Sequence, residues 1–264
     1  MTSPIKITVA QLSRFIGLAD APALVDVRAD EEFQIDPRII PTVQRHGSQD
    51  VARWSKHYEG QTIVGLCQRG GAPSQATAAW LRHQGLDAQT LEGGYEAWSK
   101  EGQPLVRDER IPRRDSEGRT VWVTRARPKV VRVACPWLIR RFIDPRAVFL
   151  FVPPAEVAGV ADHGQATPFD VEDTSWSDRG NKTTFDVMLE EFGLVTEPVL
   201  RMALIVRGAD TGKLDLTPQS AGLLAICLGY SRMYREDLAQ LGAAMALFDA
   251  CYRWARDASD ERHG

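Results

Sequence analysis

The sequence has few cysteines, and none of them forms a C-x-x-C pair. Cys67, Cys135, Cys227 and Cys251 are scattered through 264 residues. This spacing argues against a structural zinc site and a disulfide framework, and it suits a reducing compartment, so we expect a cytoplasmic protein. No run of 18 apolar residues occurs, which excludes a predicted membrane span. The first residues also lack the basic-then-apolar layout of a secretory signal.

A strong excess of charge of either sign is absent as well. The formal net charge is −3, with 44% hydrophobic and 25% charged residues. Nonspecific binding of the whole chain to nucleic acid or to a membrane is therefore not expected. The length fits one large domain or two smaller ones.

Strand-like and helix-like segments alternate through the first hundred residues. This rhythm predicts an α/β domain with a parallel sheet flanked by helices. The predicted strands are 23–27, 62–66 and 88–94, and the predicted helices are 48–58, 74–85 and 95–102.

A polar, charge-rich stretch, 107–119, separates this half from one of different character. It predicts a linker between a domain of residues 1–106 and a domain of residues 120–264. The second domain reads as mostly helical α+β. Its strands are expected within 120–135 and at 149–153, and its helices at 136–144 with Pro136 in first position, 183–194, 197–210, 217–233 and 235–256.

Cys67 stands between a predicted strand and a predicted helix, in "TIVGLCQRGGAPSQATAAWL". The carboxyl ends of parallel strands are where such sheets place their ligands. Successive backbone N–H groups and the helix dipole there favour a thiolate and, once it is loaded, an anion. The alternative is a buried, inert thiol. The predicted anion nest comprises Gln68, Arg69, Gly70, Gly71 and Ala72.

Three motifs in this half resemble the rhodanese domain, the sulfurtransferase fold. They are "ALVDVRADEEF", "CQRGGAPSQATAAWL" and "LEGGYEAW". The resemblance implies that Cys67 is the nucleophile that carries sulfur as a persulfide, without a cofactor. It implies a small donor such as thiosulfate and a small thiol or a protein as acceptor. Asp26 and Arg28 are expected to brace the loop or to form a structural ion pair.

The loop departs from the usual rhodanese pattern. Six residues separate Cys67 from Ser74, and the basic residue usual before the hydroxyl is replaced by Ala72 and Pro73. Arg69 is the remaining nearby cation and is expected to hold the anionic end of the donor. A longer loop is typical of rhodanese-like phosphatases and arsenate reductases, whereas Pro73 as the first helical residue would shorten it again.

The second half resembles the chromate-resistance protein B C-terminal domain. The resemblance rests on "RVACPWLIRRFIDPRAVFLFVP", "ATPFDV", "TFDVMLEEFGL", "RGADT" and "QSAGLLAICLGYSRMYRED". It implies a role in chromate or oxyanion stress, as a sensor, regulator or resistance factor. Val131 stands where the family is expected to have an acid, and Asp178 and Thr183 stand where it tends to have histidine and cysteine.

Two ligand sites are predicted in this half. Asp178, Asp186 and Asp210 offer hard oxygen ligands suited to Mg²⁺ or Mn²⁺, although such aspartates also serve as helix caps. Residues 107–146 contain eleven arginines and one lysine against five acids. Guanidinium groups suit oxyanions such as chromate or sulfate. The predicted anion-site residues are therefore Arg132, Cys135, Arg140 and Arg141. Cys135 is included because it is predicted to precede a helix start. Alternatively, these arginines are solvated or form ion pairs with acidic residues, and Cys135 is a thiol packed in the core.

Three classes of function follow. The leading one is a rhodanese-type sulfurtransferase fused to a domain for oxyanion stress. The others are a chromate-responsive sensor without turnover, and a rhodanese-like phosphatase or oxyanion reductase. A groove-entering basic helix is not apparent, so DNA binding is not expected.

Overall fold

The computed structural model describes residues 5–261. The chain divides into two compact units. The first comprises residues up to Asp108 together with Arg141–Ile143, and the second comprises Glu109–Arg140 and the residues from Asp144 onward.

The first unit is built on a parallel sheet, as the sequence predicts. Its strands are β1 (Lys6–Ile7), β2 (Ala23–Asp26), β3 (Arg38–Ile39), β4 (Gln44–Arg45), β5 (Ile63–Leu66), β6 (Ala88–Leu91) and β7 (Val106–Arg107). Five of them pair in parallel in the order β1-β6-β5-β2-β4. The short strands β3 and β7 form a separate antiparallel pair.

Five α-helices accompany this sheet: α1 (Val9–Ser13), α2 (Asp30–Ile35), α3 (Val51–Trp54), α4 (Ala72–His83) and α5 (Gly94–Lys100). The helix predicted over 48–58 is wrong in its first turn, because the Asp50 N–H donates to the Gly47 carbonyl in a turn. That segment becomes helical only at Val51 and ends as a 3-10 turn, Ser55–Tyr58.

β5 occupies the centre of the sheet, and all four of its residues are buried. Val25 on one neighbouring strand and Ala78 and Leu81 on α4 pack in the same core. A strand buried on both faces has to be continuously apolar, which explains the run before Cys67. The thiol therefore emerges from the most buried strand of the unit.

The second unit combines a small parallel sheet with six α-helices and is mostly helical, as predicted. Strands β8 (Val121–Arg125), β9 (Val148–Val152) and β10 (Thr167–Pro168) pair in the order β10-β8-β9. The helices are α6 (Val131–Leu138), α7 (Val157–Gly164), α8 (Thr184–Phe192), α9 (Glu197–Thr211), α10 (Ser220–Met233) and α11 (Asp237–Asp257).

The prediction for residues 120–144 is wrong in its details. The strand ends at Arg125, and the valine-rich stretch after it is helical from Val131. Pro136 lies inside α6 and does not begin a helix, and a π-helical turn, Ile139–Ile143, follows. β-Branched residues and an internal proline both disfavour helix. Because nearly all of α6 is buried, tertiary packing outweighs those local preferences.

The segment predicted as a linker, 107–119, contains ordered turns. A 3-10 turn covers Asp108–Arg110. Farther along, the Asp115 carboxylate accepts hydrogen bonds from the Arg119 backbone and guanidinium at 2.8–2.9 Å. Within residues 5–261, no helix is long and apolar enough to cross a membrane.

Candidate active site

Cys67 directly follows β5 and stands at its carboxyl end, between the ends of β2 and β6. Its side chain is buried, with 3% of the residue exposed. The sulfur lies 3.2 Å from the hydroxyl of the fully buried Ser74, on the first turn of α4. That hydroxyl is also within 3.2 Å of the Gly71 carbonyl. Ser74 therefore tethers the sulfur to the start of the helix.

The active loop is the segment Gln68–Gly71, because α4 begins at Ala72 with Gly71 as its N-cap. Pro73 is the second helical residue, where the missing N–H costs no hydrogen bond. The first turn of α4 thus supplies the last two residues between the cysteine and the serine.

Two glycines let α5 pack closely on the active loop. Gly70 and Gly94 have φ of +66° and +61°. A Cβ at Gly70 would come within 2.7 Å of the Leu91 carbonyl oxygen, and one at Gly94 would overlap the carbonyl oxygen of Cys67. Only glycine fits both the backbone conformation and the space.

The start of α5 also orients the peptide groups of the loop. The Tyr95 N–H donates to the Cys67 carbonyl and the Glu96 N–H donates to the Gln68 carbonyl, both at 3.0 Å. In a trans peptide the N–H points opposite to the C=O. The N–H groups of Gln68 and Arg69 are consequently turned away from α5.

Arg69 is engaged by a carboxylate that was not among the predicted site residues. Its Nε donates to Glu96 Oε1 at 3.0 Å, and the Gln68 amide donates to the same oxygen at 3.2 Å. The Arg69 side chain is 80% exposed. Glu96 occupies a variable position of the Gly-Gly-aromatic motif, so the motif alone gives no sign of this pairing.

Asp26 and Arg28 form a fully buried ion pair at 2.8 Å. The guanidinium also donates to the carbonyls of Asp36 and Arg38, and it stacks over the Tyr95 ring at 3.8 Å. Burial raises the pKa of the Asp26 carboxyl, and Arg28 opposes that rise. Since Tyr95 bonds the Cys67 carbonyl through its N–H, the pair contacts the active loop through one intervening residue.

In the second unit, Arg132 pairs with Asp170 at 3.2 Å, and Arg125 pairs with the same carboxylate at 3.0 Å. Both contacts lie at the carboxyl edge of the small parallel sheet, after β8 and β10. Asp170 has a φ of +53°, a left-handed conformation that is uncommon without glycine. Burial raises its pKa, and the two arginines oppose that rise.

The other anion-site candidates do not gather around Arg132. Arg140 donates to the Ala147 carbonyl and stacks on Phe149, at the amino end of β9 and so at the opposite end of the sheet. Arg141 lies in the π-helical turn. Cys135 is fully buried inside α6, whose positive end is at Val131, and burial raises the pKa of its thiol. The prediction that Cys135 precedes a helix start is wrong.

The three aspartates predicted as metal ligands each have a protein partner. Asp178 accepts hydrogen bonds from the Thr184 backbone and hydroxyl at 2.7 and 2.8 Å. Asp186 completes a capping box with Thr183 and pairs with Arg207 at 2.6 Å. Asp210 accepts from the Val131 N–H at 3.2 Å. In the described part of the chain, no three such side chains are grouped to hold a metal ion.

Comparison with protein families decides the assignment of both halves. The model of the ChrB C-terminal domain matches residues 122–255, half of the chain. This chain belongs to the ChrB C-terminal domain family. A model of the rhodanese-like domain matches residues 8–101. Both resemblances seen in the sequence are confirmed.

One curated relative is Protein ChrB of Cupriavidus metallidurans (strain CH34). It is 34% identical over 155 residues, which make up 57% of this chain and 46% of that protein. The chain therefore spans less than half the length of this relative.

Solved structures resemble part of this chain. A rhodanese-related protein from Thermoplasma volcanium is 25% identical, and the match covers 98% of it and 39% of this chain with a TM-score of 0.34. A rhodanese-like domain protein from Staphylococcus aureus is 26% identical, and the match covers 89% of it and 35% of this chain with a TM-score of 0.32.

Two departures from the expected family pattern make hydrogen bonds within the ChrB C-terminal domain. Val131 bonds Asp210 through its N–H, while Asp178 bonds Thr184, whose hydroxyl is 3.4 Å from Asp170. Asp170 lies in the family-like motif "ATPFDV" but was not among the predicted site residues. Its role depends on a contact with Arg125, 45 residues away, which no local pattern encodes.

Proposed function

We propose that this chain is a sulfurtransferase that carries sulfur as a persulfide on Cys67. In the first step the Cys67 thiolate attacks the outer sulfur of a donor such as thiosulfate. A new S–S bond forms to Cys67, the donor's S–S bond breaks, and sulfite leaves with the electron pair. In the second step an acceptor thiolate attacks the outer persulfide sulfur, and Cys67 leaves as the thiolate.

The orientation of the loop peptides is the observation that carries this proposal. With the carbonyls of Cys67 and Gln68 bonded to α5, the N–H groups of Gln68 and Arg69 point away from that helix. Within residues 5–261, neither N–H has a protein acceptor. Unpaired N–H groups beside a thiol stabilise an anion at that position, whether thiolate, persulfide or the sulfonate end of a donor.

Thiocyanate formation from thiosulfate and cyanide tests the proposal. Cys67→Ser should reduce the rate to the background without enzyme, because serine cannot form a persulfide. Cys251→Ser, a half-buried thiol on α11, should keep most of the activity and serves as the matched control. Retention of activity in Cys67→Ser would exclude this mechanism.

For the ChrB C-terminal domain we propose a role in chromate or oxyanion stress, supported by its family. All four cysteines are free thiols, which supports a reducing cytoplasmic location. Neither half-reaction of sulfur transfer needs a cofactor.

A further inference from the structure

A cavity of about 610 Å³ opens in the first unit, and Pro73 on the first turn of α4 is one of its lining residues. It lies at the carboxyl ends of β2 and β4, the edge of the sheet that also carries Cys67. Two of its lining residues, Val27 and Pro73, are linked to the immediate neighbours of the cysteine. The Val27 N–H bonds the carbonyl of Leu66, the residue before Cys67, and Pro73 precedes Ser74, which contacts the sulfur.

The two arginines of the cavity wall are already neutralised. Arg28 is in its buried pair with Asp26. Arg45 pairs with Asp30 at 2.9 Å, and its guanidinium stacks over Phe33 at 3.8 Å. Neither guanidinium is therefore available as an unpaired positive charge for a substrate.

Two carboxylates of the same wall have no cationic partner. Glu31 is exposed, and Glu32 is half-buried, with one oxygen accepting the Ala29 N–H at 3.3 Å. Among the described residues, no ion pair includes either of them. The carboxylates of this wall thus outnumber its guanidiniums, and Arg69 in the active loop is engaged by Glu96.

We propose that this cavity receives the sulfur acceptor and selects thiols that carry a positive charge near the sulfur, such as an aminothiol. The inference rests on the proposed persulfide chemistry of Cys67. The acceptor thiolate attacks the outer sulfur, the Cys67 S–S bond breaks, and the acceptor leaves as a persulfide. During that attack Glu31 and Glu32 attract an ammonium group and repel a carboxylate.

Three small thiols of similar size test the charge selection. Protein preloaded with thiosulfate is mixed at about pH 8 with cysteamine, 2-mercaptoethanol or 3-mercaptopropionate, and loss of the protein persulfide is followed by intact mass. Rates relative to neutral 2-mercaptoethanol are compared between the native chain and Glu31→Gln/Glu32→Gln. Because glutamine at position 32 retains the capping bond, the fold is preserved.

We compare the ratio of the cysteamine rate to the 3-mercaptopropionate rate in the two proteins. We expect this ratio to be about tenfold higher in the native chain than in the double variant, because Glu31 and Glu32 are partly exposed charges. The excess should shrink at about 1 M salt. Glu59→Gln and Glu101→Gln, exposed glutamates outside the cavity, should leave the ratio unchanged.

An equal ratio in the native chain and the double variant, with the persulfide present in both, would overturn the acceptor assignment and leave the persulfide mechanism standing. Failure of the native chain to form any persulfide would overturn the mechanism and this inference with it. The two failures are therefore distinguished in one experiment.

Discussion

Arg69 shows how one contact changes the role that is inferred for a residue. As the only basic residue of the active loop, it is the natural candidate to hold an anionic donor. In the structure its guanidinium shares one oxygen of Glu96 with the Gln68 amide. An exposed pair of this kind contributes little to stability, about 0–1 kcal/mol, so it can open for a donor at small cost. Glu96 is then a competitor of the donor for Arg69.

We therefore predict that Glu96→Gln raises kcat/KM for thiosulfate by about 2- to 5-fold, the range expected for release of an exposed pair. The gain should be absent when the same change is made together with Arg69→Ala. Thiosulfate:cyanide kinetics of the two single variants and the double variant measure this coupling. An equal gain with and without Arg69 would show that Glu96 acts on the donor independently of that side chain.

At the scale of elements, β5, the active loop and the start of α5 form one closely packed arrangement. The loop peptides are fixed by two hydrogen bonds to α5, and α5 can approach only because Gly70 and Gly94 lack side chains. The buried Asp26–Arg28 pair holds Tyr95 from the other side. The geometry at Cys67 therefore depends on three segments that are distant in sequence, at residues 26–28, 67–71 and 94–96.

Gly94→Ala tests this arrangement. We predict that it abolishes most of the sulfurtransferase activity, because the new Cβ would displace the carbonyl of Cys67. Gly85→Ala is the matched control: Gly85 also has a positive φ, +83°, but a Cβ there meets nothing within 4 Å. Both variants should lose about 1 kcal/mol or more of stability from backbone strain, while only Gly94→Ala loses activity. Equal activity in both variants would contradict the proposed close packing.

The strand–helix rhythm of the first unit was predictable because its signals are local. β5 is a continuous apolar run. Glycines in the sequence mark the end of α4 and the turn in the third motif. α6 was misread because Val130, Val131 and Val133 favour a strand locally, whereas the stability of that helix comes from burial in the second unit. Local preference and tertiary packing disagree there.

The candidate site was predictable only in part, and for the same reason. The position of Cys67 between strand and helix follows from adjacent residues. The pairing of Arg69 with Glu96 and that of Arg125 with Asp170 join residues 27 and 45 positions apart. Contacts at such separations depend on the completed fold, so spacing in the sequence cannot reveal them.

At the scale of the whole molecule, the proposed chemistry and the Asp170 ion cluster lie in different units. Cys67 is in the rhodanese-like unit, and Asp170 with its two arginines is in the ChrB unit. Asp170 is buried, and removing its charge leaves two guanidiniums without their shared partner. Breaking a buried pair in this way is costly, about 3–5 kcal/mol, less where one partner is exposed.

We predict that Asp170→Asn lowers the free energy of unfolding of the full chain by about 2–4 kcal/mol, as measured by chemical denaturation. Asp173→Asn is the control, because Asp173 also has a left-handed backbone conformation, with φ of +59°, but its side chain is exposed. It should change stability by less than about 0.5 kcal/mol. Under native conditions both variants should retain thiosulfate:cyanide activity. Equal stability of the two variants would mean that the Asp170 cluster is not structural.

The central claim is that Cys67 stores sulfur as a persulfide. The most direct measurement is the intact mass of the protein after incubation with thiosulfate and removal of the donor, followed by peptide mapping. We predict a species heavier by one sulfur atom, carried on the Cys67 peptide, absent in Cys67→Ser and lost on addition of cyanide. An unchanged mass, or added sulfur on Cys135, Cys227 or Cys251 instead, would contradict the claim.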